Sequence, residues 1–413
     1  TGDLYISIYP KIGINTQDSA KTALDYVFAA KNLKRSMCDA HVKVHLPLSI
    51  DGYIDGPSGG AALAVMGVAA LEGKQMKNDA MLTGTVDNKG NIGPVGGLYE
   101  KALIAKKSGL KFLITPPQSL YERAILHMIK DERFSILEAR NVSEAAEFLL
   151  DGKEISTKKE SPYIEPVNTN IRPYYADEVF EPLAIGMIAL LNASEMRIDP
   201  EFAAKENLGE YFDKIRENER ILLNKGYYFS AANDAFLHFI DAETIANVES
   251  LDVEKRLKDT EDCIASIPKP ALTMENLEWV AGMELREGWA KKKMDEVREQ
   301  NATLREQKYL SYHDAMYAYA WCKISNMLAQ VALPLGENAV DEAALENLSW
   351  EYLRQARKAK VDADTLWHLE NAERLHSEGK FAGAILDSVF VIEMANATAK
   401  YADNAEAALY ELK

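Results

Sequence analysis

The chain has 413 residues, 47% hydrophobic and 27% charged, the balance of an ordinary globular protein long enough for two or three domains. Its 47 basic against 64 acidic residues give a formal net charge of −17, which argues against a nucleic-acid binder, since that class needs a basic face. No apolar run reaches the ~18 residues of a membrane span; the longest, Pro182 to Leu191, reads as a buried helix.

Strand and helix signals alternate through the first third. Leu4, Ile6 and Ile8 alternate as in a strand with one buried face. Asn15, Thr16 and Asp18 introduce a helix to about Lys31, whose Ala20, Ala23, Leu24, Val27 and Phe28 share one stripe. Ala40, Val42, Val44 and Leu46 alternate again. A loop rich in Gly and Pro then leads to Ser58, followed by a helix apolar nearly all round, Ala61 to Leu71, which predicts a central buried helix ended by Gly73. Met81 to Val86 and Asn91 to Val95 read as strands about a turn at Asn88-Lys89-Gly90. A helix from Leu98 to about Ser108, a buried strand Phe112–Thr115, a helix near Leu120 to Ile129, an edge strand near Phe134 to Leu137 and a helix from Ala145 to Leu150 complete an α+β domain over residues 1–150.

Two residues in this third carry chemistry only as a pair. Singly, Ser58 reads as the N-cap of a helix beginning at Gly59, and Lys101 as a solvated side chain on a surface helix. Together they offer a nucleophile and a base. A serine hydroxyl needs a group to take its proton, and a lysine can do so only when burial keeps its amine neutral. Lys101 falls in the first turn of its helix, where amide dipoles further disfavour a cation. The amides around Ser58, Gly59 and Gly60 face outward at a helix start and suit an oxyanion.

The motifs DGPSGG (Asp55–Gly60), Leu82–Gly84 and GNIGPVGGLYEKALIAKKSGLKFLITP (Gly90–Pro116) closely resemble the proteolytic domain of the Lon protease family, with its DGPSAG-like serine loop, MTGE-like strand and GGLKEK-like helix start. The resemblance covers about residues 1–150 and is nearest to archaeal Lon-like proteases that lack the ATPase module. It implies a Lon-type α+β fold, Ser58 as nucleophile and Lys101 as general base, with Thr83 beside the lysine, Asp55 in the serine loop and His45 in the preceding strand as supporting residues. It also implies assembly as a six-membered ring. Relatives of this kind often carry a membrane anchor, which would lie outside these 413 residues. Four departures stand out: the His45–Ser58 loop is one residue longer than the bacterial pattern, Lys43 replaces a second histidine, Gly59 replaces alanine, and Thr85 replaces glutamate.

Residues 151–173 are rich in Lys, Glu, Ser and Pro, a linker or an extended segment. From 174 to 413 strand patterning disappears, and helices are separated by Asp199-Pro200, Pro268 with Pro270, and Pro334 with Gly336. One long helix is expected over Tyr309 to Val331. Two stretches, Glu217–Phe236 and Glu370–Phe390, share a helix, a glycine, an aromatic two residues on and an alanine five residues on. That is the pattern of an αα-hairpin packed through small residues, similar to tetratricopeptide-type units, so the second domain is an all-α bundle of helical hairpins. Its aromatics, Tyr227, Tyr228, Phe229, Trp279, Trp289, Tyr317, Tyr319 and Trp321, read as helix-packing residues.

Cys38, Cys263 and Cys322 show no framework spacing and are expected to be free, buried thiols. Five Asn-x-Ser/Thr sequons, at Asn141, Asn192, Asn301, Asn347 and Asn396, and a start at Thr1 that implies a processed or trimmed N-terminus, tilt the expected location toward extracytoplasmic or membrane-associated. There is no GxxxxGK[ST], no HExxH and no metal-like histidine spacing, so no cofactor, metal or nucleotide is expected. The leading function is an ATP-independent serine endopeptidase acting on unfolded or exposed polypeptide. The alternative is a catalytically weak Lon-fold assembly protein whose helical half binds a partner, and a third is autoprocessing alone.

Overall fold

Short parallel ladders and small-residue helices build the first unit. The computed structural model describes residues 3–6, 11–34, 36, 39–43, 53–155, 164, 166–167, 180–359 and 362–401. The chain divides into two units, one of Thr1–Pro162 with Glu201–Leu208 and Leu304–Glu306, the other of the remaining residues. An N-terminal mixed α/β region is followed by an all-helical C-terminal region.

In the mixed region β1 (Leu4–Ile6) pairs in parallel with β3 (Ala40–Val42), and β2 (Lys11–Ile12) with β4 (Tyr53–Ile54). A second ladder sets β5 (Ala80–Leu82), β8 (Phe112–Thr115) and β9 (Ser135–Glu138) side by side in parallel, with Leu82 opposite Ile114 and Ile114 opposite Leu137. β8 is central, which explains its unbroken FLIT run: Leu113, Ile114 and Thr115 are all fully buried. β6 (Thr85–Val86) and β7 (Ile92–Gly93) form an antiparallel hairpin.

Helices pack on these ladders. Between β2 and β3 runs α1 (Ile14–Ala30), which buries Ala20, Ala23, Val27 and Phe28, spaced three or four apart. After β4, a 3₁₀ turn (Pro57–Gly59) leads into α2 (Gly60–Glu72). Val27 lies so near Gly67 that an added Cβ there would meet it at 3.1 Å. Small residues on α2 therefore set the approach of α1. Ala61, Ala64 and Val65 are completely buried, and Val65 alone contributes about 1.5–3 kcal/mol by leaving water. Gly73 ends α2 in the left-handed conformation, φ +62°. One expectation needs correction. α2 is not buried all round, because Met66 and Leu71 are 53% and 43% exposed; the sequence is apolar on every face, but α1, α5 and β6 cover only one side. The unit is completed by α3 (Leu98–Lys107), α4 (Leu120–His127), closed by a Ser119–Glu122 capping box, and α5 (Val142–Asp151), capped by Asn141.

The helical region comprises α6 (Glu181–Glu195), α7 (Pro200–Lys205), α8 (Leu208–Asn224), α9 (Tyr228–Ala246), α10 (Val253–Ala265), α11 (Leu277–Glu299), α12 (Arg305–Ala332), α13 (Glu342–Ala356), α14 (Ala363–Ser377) and α15 (Phe381–Tyr401). Both repeated stretches are helix–glycine–helix turns, with Gly226 at φ +77° and Gly379 at φ +76°. They pack differently: α9 lies chiefly against α6, whereas α15 lies against α14, α13 and α11.

Two further expectations are overturned. Cys263 and Cys322 are not free thiols but a disulfide joining α10 to α12, with Cα atoms 6.3 Å apart; both are buried in one apolar cluster, and their 59-residue separation gave no local sign of pairing. Cys38 lies outside the described residues. The expected extracytoplasmic or membrane-associated location is likewise withdrawn: among the described residues no helix is long and apolar enough to cross a membrane. The Pro182–Leu191 run sits in the 15-residue α6 and buries Leu183, Ala184, Met187 and Leu191 among helical neighbours, and one sequon, Asn141, is spent as a helix cap. Most of the expected linker, 156–163, 165 and 168–179, lies outside the described residues.

Candidate active site

The serine loop is tied to α1 from one side and to the β5–β6 connection from the other. Asp55 Oδ2 accepts from the Asn15 side chain at 3.0 Å, and Oδ1 from the amides of Thr16 (3.3 Å) and Gly56 (3.0 Å). Burial would pull this carboxyl up, but those three donors and the Asn15 amide outweigh it and hold Asp55 below the usual carboxylate range. Thr16 Oγ1 donates to the Gly56 carbonyl and Ser19 Oγ to the Pro57 carbonyl, each at 3.0 Å. Gly56 takes φ +138°, a conformation that favours glycine.

Ser58 sits in the middle of the 3₁₀ turn, half-buried. Its carbonyl accepts from the Gly84 amide at 2.9 Å and from Thr83 Oγ1 at 3.3 Å. Thr83, only 3% exposed, is itself pinned by its amide to the Ile114 carbonyl of β8. The serine thus stands on the buried sheet through Thr83 and Gly84. The α-helix begins at Gly60, and Ser58 does not cap it: neither the 3₁₀ turn nor α2 has a side-chain cap. The Ser58 hydroxyl makes no hydrogen bond to the described residues. The Gly60 amide is engaged with the Pro57 carbonyl and the Ala61 amide with Gly84.

Lys101 lies in the first turn of α3, after Gly97, which adopts φ +67°. Its Nζ donates to the Gly96 carbonyl at 2.7 Å, not to Ser58. Burial holds the amine below the ordinary lysine range, and the Glu306 carboxylate opposes that shift. Glu306 also accepts from the Gly97 amide at 2.6 Å, while the Arg305 amide donates to Glu100 at 2.8 Å. Leu304–Glu306 therefore belong to this unit and bond to the start of the helix that carries Lys101. Sequence reasoning missed Glu306 because it lies 205 positions beyond Lys101. It also read Asn15 and Thr16 only as helix openers, although Gly13 is the N-cap of α1 and their side chains serve the serine loop. Of the remaining candidate residues, Gly59 has open space where a Cβ would stand, and His45 lies outside the described residues.

Known proteins match the N-terminal part of the chain. Residues 2–151 match the Lon protease (S16) C-terminal proteolytic domain. Residues 2–151, about a third of the chain, are thus similar to a Lon-type proteolytic domain. Its relatives include the Lon protease of Dictyoglomus thermophilum, 39% identical over 115 residues, which are 26% of this chain and 14% of that protein. Lon protease 1 of Bacillus subtilis is 30% identical over 150 residues, 35% of this chain and 19% of that protein. Lon protease 2 of Syntrophobacter fumaroxidans is 30% identical over 146 residues, 34% and 18% respectively. The chain thus spans less than a fifth of the length of these curated relatives, and the likeness lies in its Lon-type domain.

Proposed function

We propose that the chain is a serine endopeptidase with Ser58 as nucleophile and Lys101 as general base, acting on unfolded or exposed polypeptide without nucleotide. The observation that carries this reading is a lysine amine whose pKa burial lowers, in a segment of Lon-type proteolytic sequence, with a DGPSGG-loop serine whose hydroxyl bonds to none of the described residues. Lys101 Nζ leaves the Gly96 carbonyl and takes the Ser58 proton as Oγ bonds to the substrate carbonyl carbon. The amides of Ser58 and Gly59 hold the resulting oxyanion, since the Gly60 amide is already engaged. The C–N bond then breaks, Lys101 returns its proton to the departing amine, and water, deprotonated by the same lysine, hydrolyses the ester. Thr83 keeps the nucleophile's carbonyl fixed, and Asp55 keeps its loop on α1. Assembly as a homo-hexameric ring belongs to the same proposal.

One observation favours the alternative of a Lon-fold scaffold with little turnover: Lys101 bonds Gly96 instead of Ser58. The deciding experiment follows hydrolysis of an unstructured protein, without nucleotide, by the parent chain and by Ser58→Ala and Lys101→Ala. The endopeptidase reading expects each substitution to lower the rate by ~10³-fold or more, with circular dichroism unchanged. Absence of turnover by the parent chain, across pH and as its assembled form, establishes the scaffold instead.

A further inference from the structure

The aromatic residues of the helical unit do more than pack helices. α6, α9, α11 and α12 enclose a cavity of about 300 Å³, at the small end of ligand pockets. Its floor is apolar and buried: Trp279, Phe236, Leu183 and Leu328 are all less than a tenth exposed. Trp289 and Trp321 meet edge to face at 5.5 Å on one wall, and Phe180 bridges Trp279 and Phe229 on another.

One cation stands in this lining. Arg286 lies 5.0 Å from the Trp289 ring centre, and no carboxylate among the described residues comes within ion-pairing distance of it. The acid whose charge bears on it is Asp387, but that carboxylate is fully buried and already serves His368 Nδ1 at 2.7 Å, Asn371 Nδ2 at 2.8 Å and Trp289 Nε1 at 3.4 Å. Burial keeps the guanidinium below the ordinary arginine range, with Asp387 opposing. A guanidinium held in an aromatic wall without a carboxylate paired directly to it is unfavourable and is relieved by an anion that brings its own apolar surface.

The rim restricts what that anion is. Glu278, exposed at the mouth, stands eight residues before Arg286 on α11, ~12 Å away along the helix, so a second negative charge is disfavoured there. Asn233, also exposed on the rim, offers an amide whose donor and acceptor match a peptide bond. Phe229 and Leu386, 56% and 40% exposed, leave the mouth open for a chain to run outward. We propose that this cavity binds a polypeptide C-terminus ending in a large apolar residue, with the terminal carboxylate on Arg286, the last side chain against Trp279 and Trp289, and the preceding peptide bond at Asn233.

This proposal does not rest on the proteolytic reading, and its test involves no cleavage. The full chain carrying Ser58→Ala is titrated with an acetylated tetrapeptide ending in Phe, as the free acid and as the C-terminal amide. Binding is followed by calorimetry and by tryptophan emission, since three of the chain's five tryptophans line the cavity. The acid is expected to bind and to perturb the emission, with the amide on the order of tenfold weaker or worse. Arg286→Met, which removes an unpaired cation and keeps apolar bulk, is expected to bring the acid down to the level of the amide without weakening the amide. Equal binding of acid and amide, no loss in Arg286→Met, or no binding at millimolar peptide overturns the proposal. Phenylpropionate binding as tightly as the peptide also overturns it, and assigns the cavity to small free acids.

Discussion

Gly59 and Gly60 show how two adjacent, identical residues can carry different constraints. A Cβ at Gly59 meets nothing within 4 Å, whereas one at Gly60 meets Ser19 Oγ at 2.5 Å and Val86 Cγ1 at 3.0 Å. Ser19 is the residue that ties α1 to the Pro57 carbonyl. Gly59→Ala is therefore expected to leave stability and peptidase rate nearly unchanged, and Gly60→Ala to cost about 1–3 kcal/mol by overpacking and to lower the rate by loosening the serine loop. Urea unfolding of both variants beside a rate assay checks this; a Gly60→Ala chain as stable and active as the parent overturns it. The sequence reading assigned the amides of both glycines to an oxyanion. The motif was visible at these positions, but the reason for Gly60 was not, because Ser19 and Val86 reach it from elements distant in sequence.

At the scale of elements, the N-terminus of α3 is the point where local and long-range structure meet. The helix itself was legible: GG before an amphipathic run, with its end near Ser108, predicts α3 nearly to the residue. So were α1, β8 and the two hairpin turns at Gly226 and Gly379, because each is set by short-range spacing or by a residue suited to positive φ. The acid at the start of α3 was not legible. Glu306 accepts from Gly97 and bears on Lys101, raising an amine that burial lowers. Glu306→Gln keeps an acceptor for Gly97 and removes the charge, so Lys101 should fall further below its ordinary pKa. A lysine acting as base works in its neutral form, so the rate rises with pH through the lysine's pKa. The rising limb of the pH–rate profile is thus expected to move to lower pH in Glu306→Gln. A limb that stays in place, or moves upward, removes Glu306 from any part in tuning Lys101.

For the molecule as a whole, stability against pH depends in part on acids that the helical unit buries. Composition made the net charge of −17 plain, but not which of the 64 acidic residues sit inside, since that depends on packing between α11 and α15. Glu284 is the clearest case. It accepts from the Gly383 amide at 2.8 Å, and Gly383 can approach only because it lacks a Cβ, which would stand 2.7 Å from that of Glu284. Burial pushes the Glu284 carboxyl up to about 7, against the Gly383 amide and Lys380 and with help from Glu287. Glu219 is pushed up to about 7 as well, by burial and by Asp234, with Arg216 opposing. A carboxyl whose folded pKa lies above its unfolded value favours folding fully below the unfolded value and loses that contribution as pH rises through the folded one. The window here runs from about pH 4.5 to about pH 7. The helical unit is thus expected to lose a few kcal/mol across it from Glu284 alone. Glu284→Gln keeps an acceptor for Gly383 and abolishes the titration. Denaturant unfolding at pH 5 and pH 8 should find the variant close to the parent at pH 5 and more stable by about 2–3 kcal/mol at pH 8. A parent chain with equal stability at both pH values, or a variant that gains nothing at pH 8, would show that Glu284 is ionised at little cost and that the interior of this bundle is wetter than its packing implies.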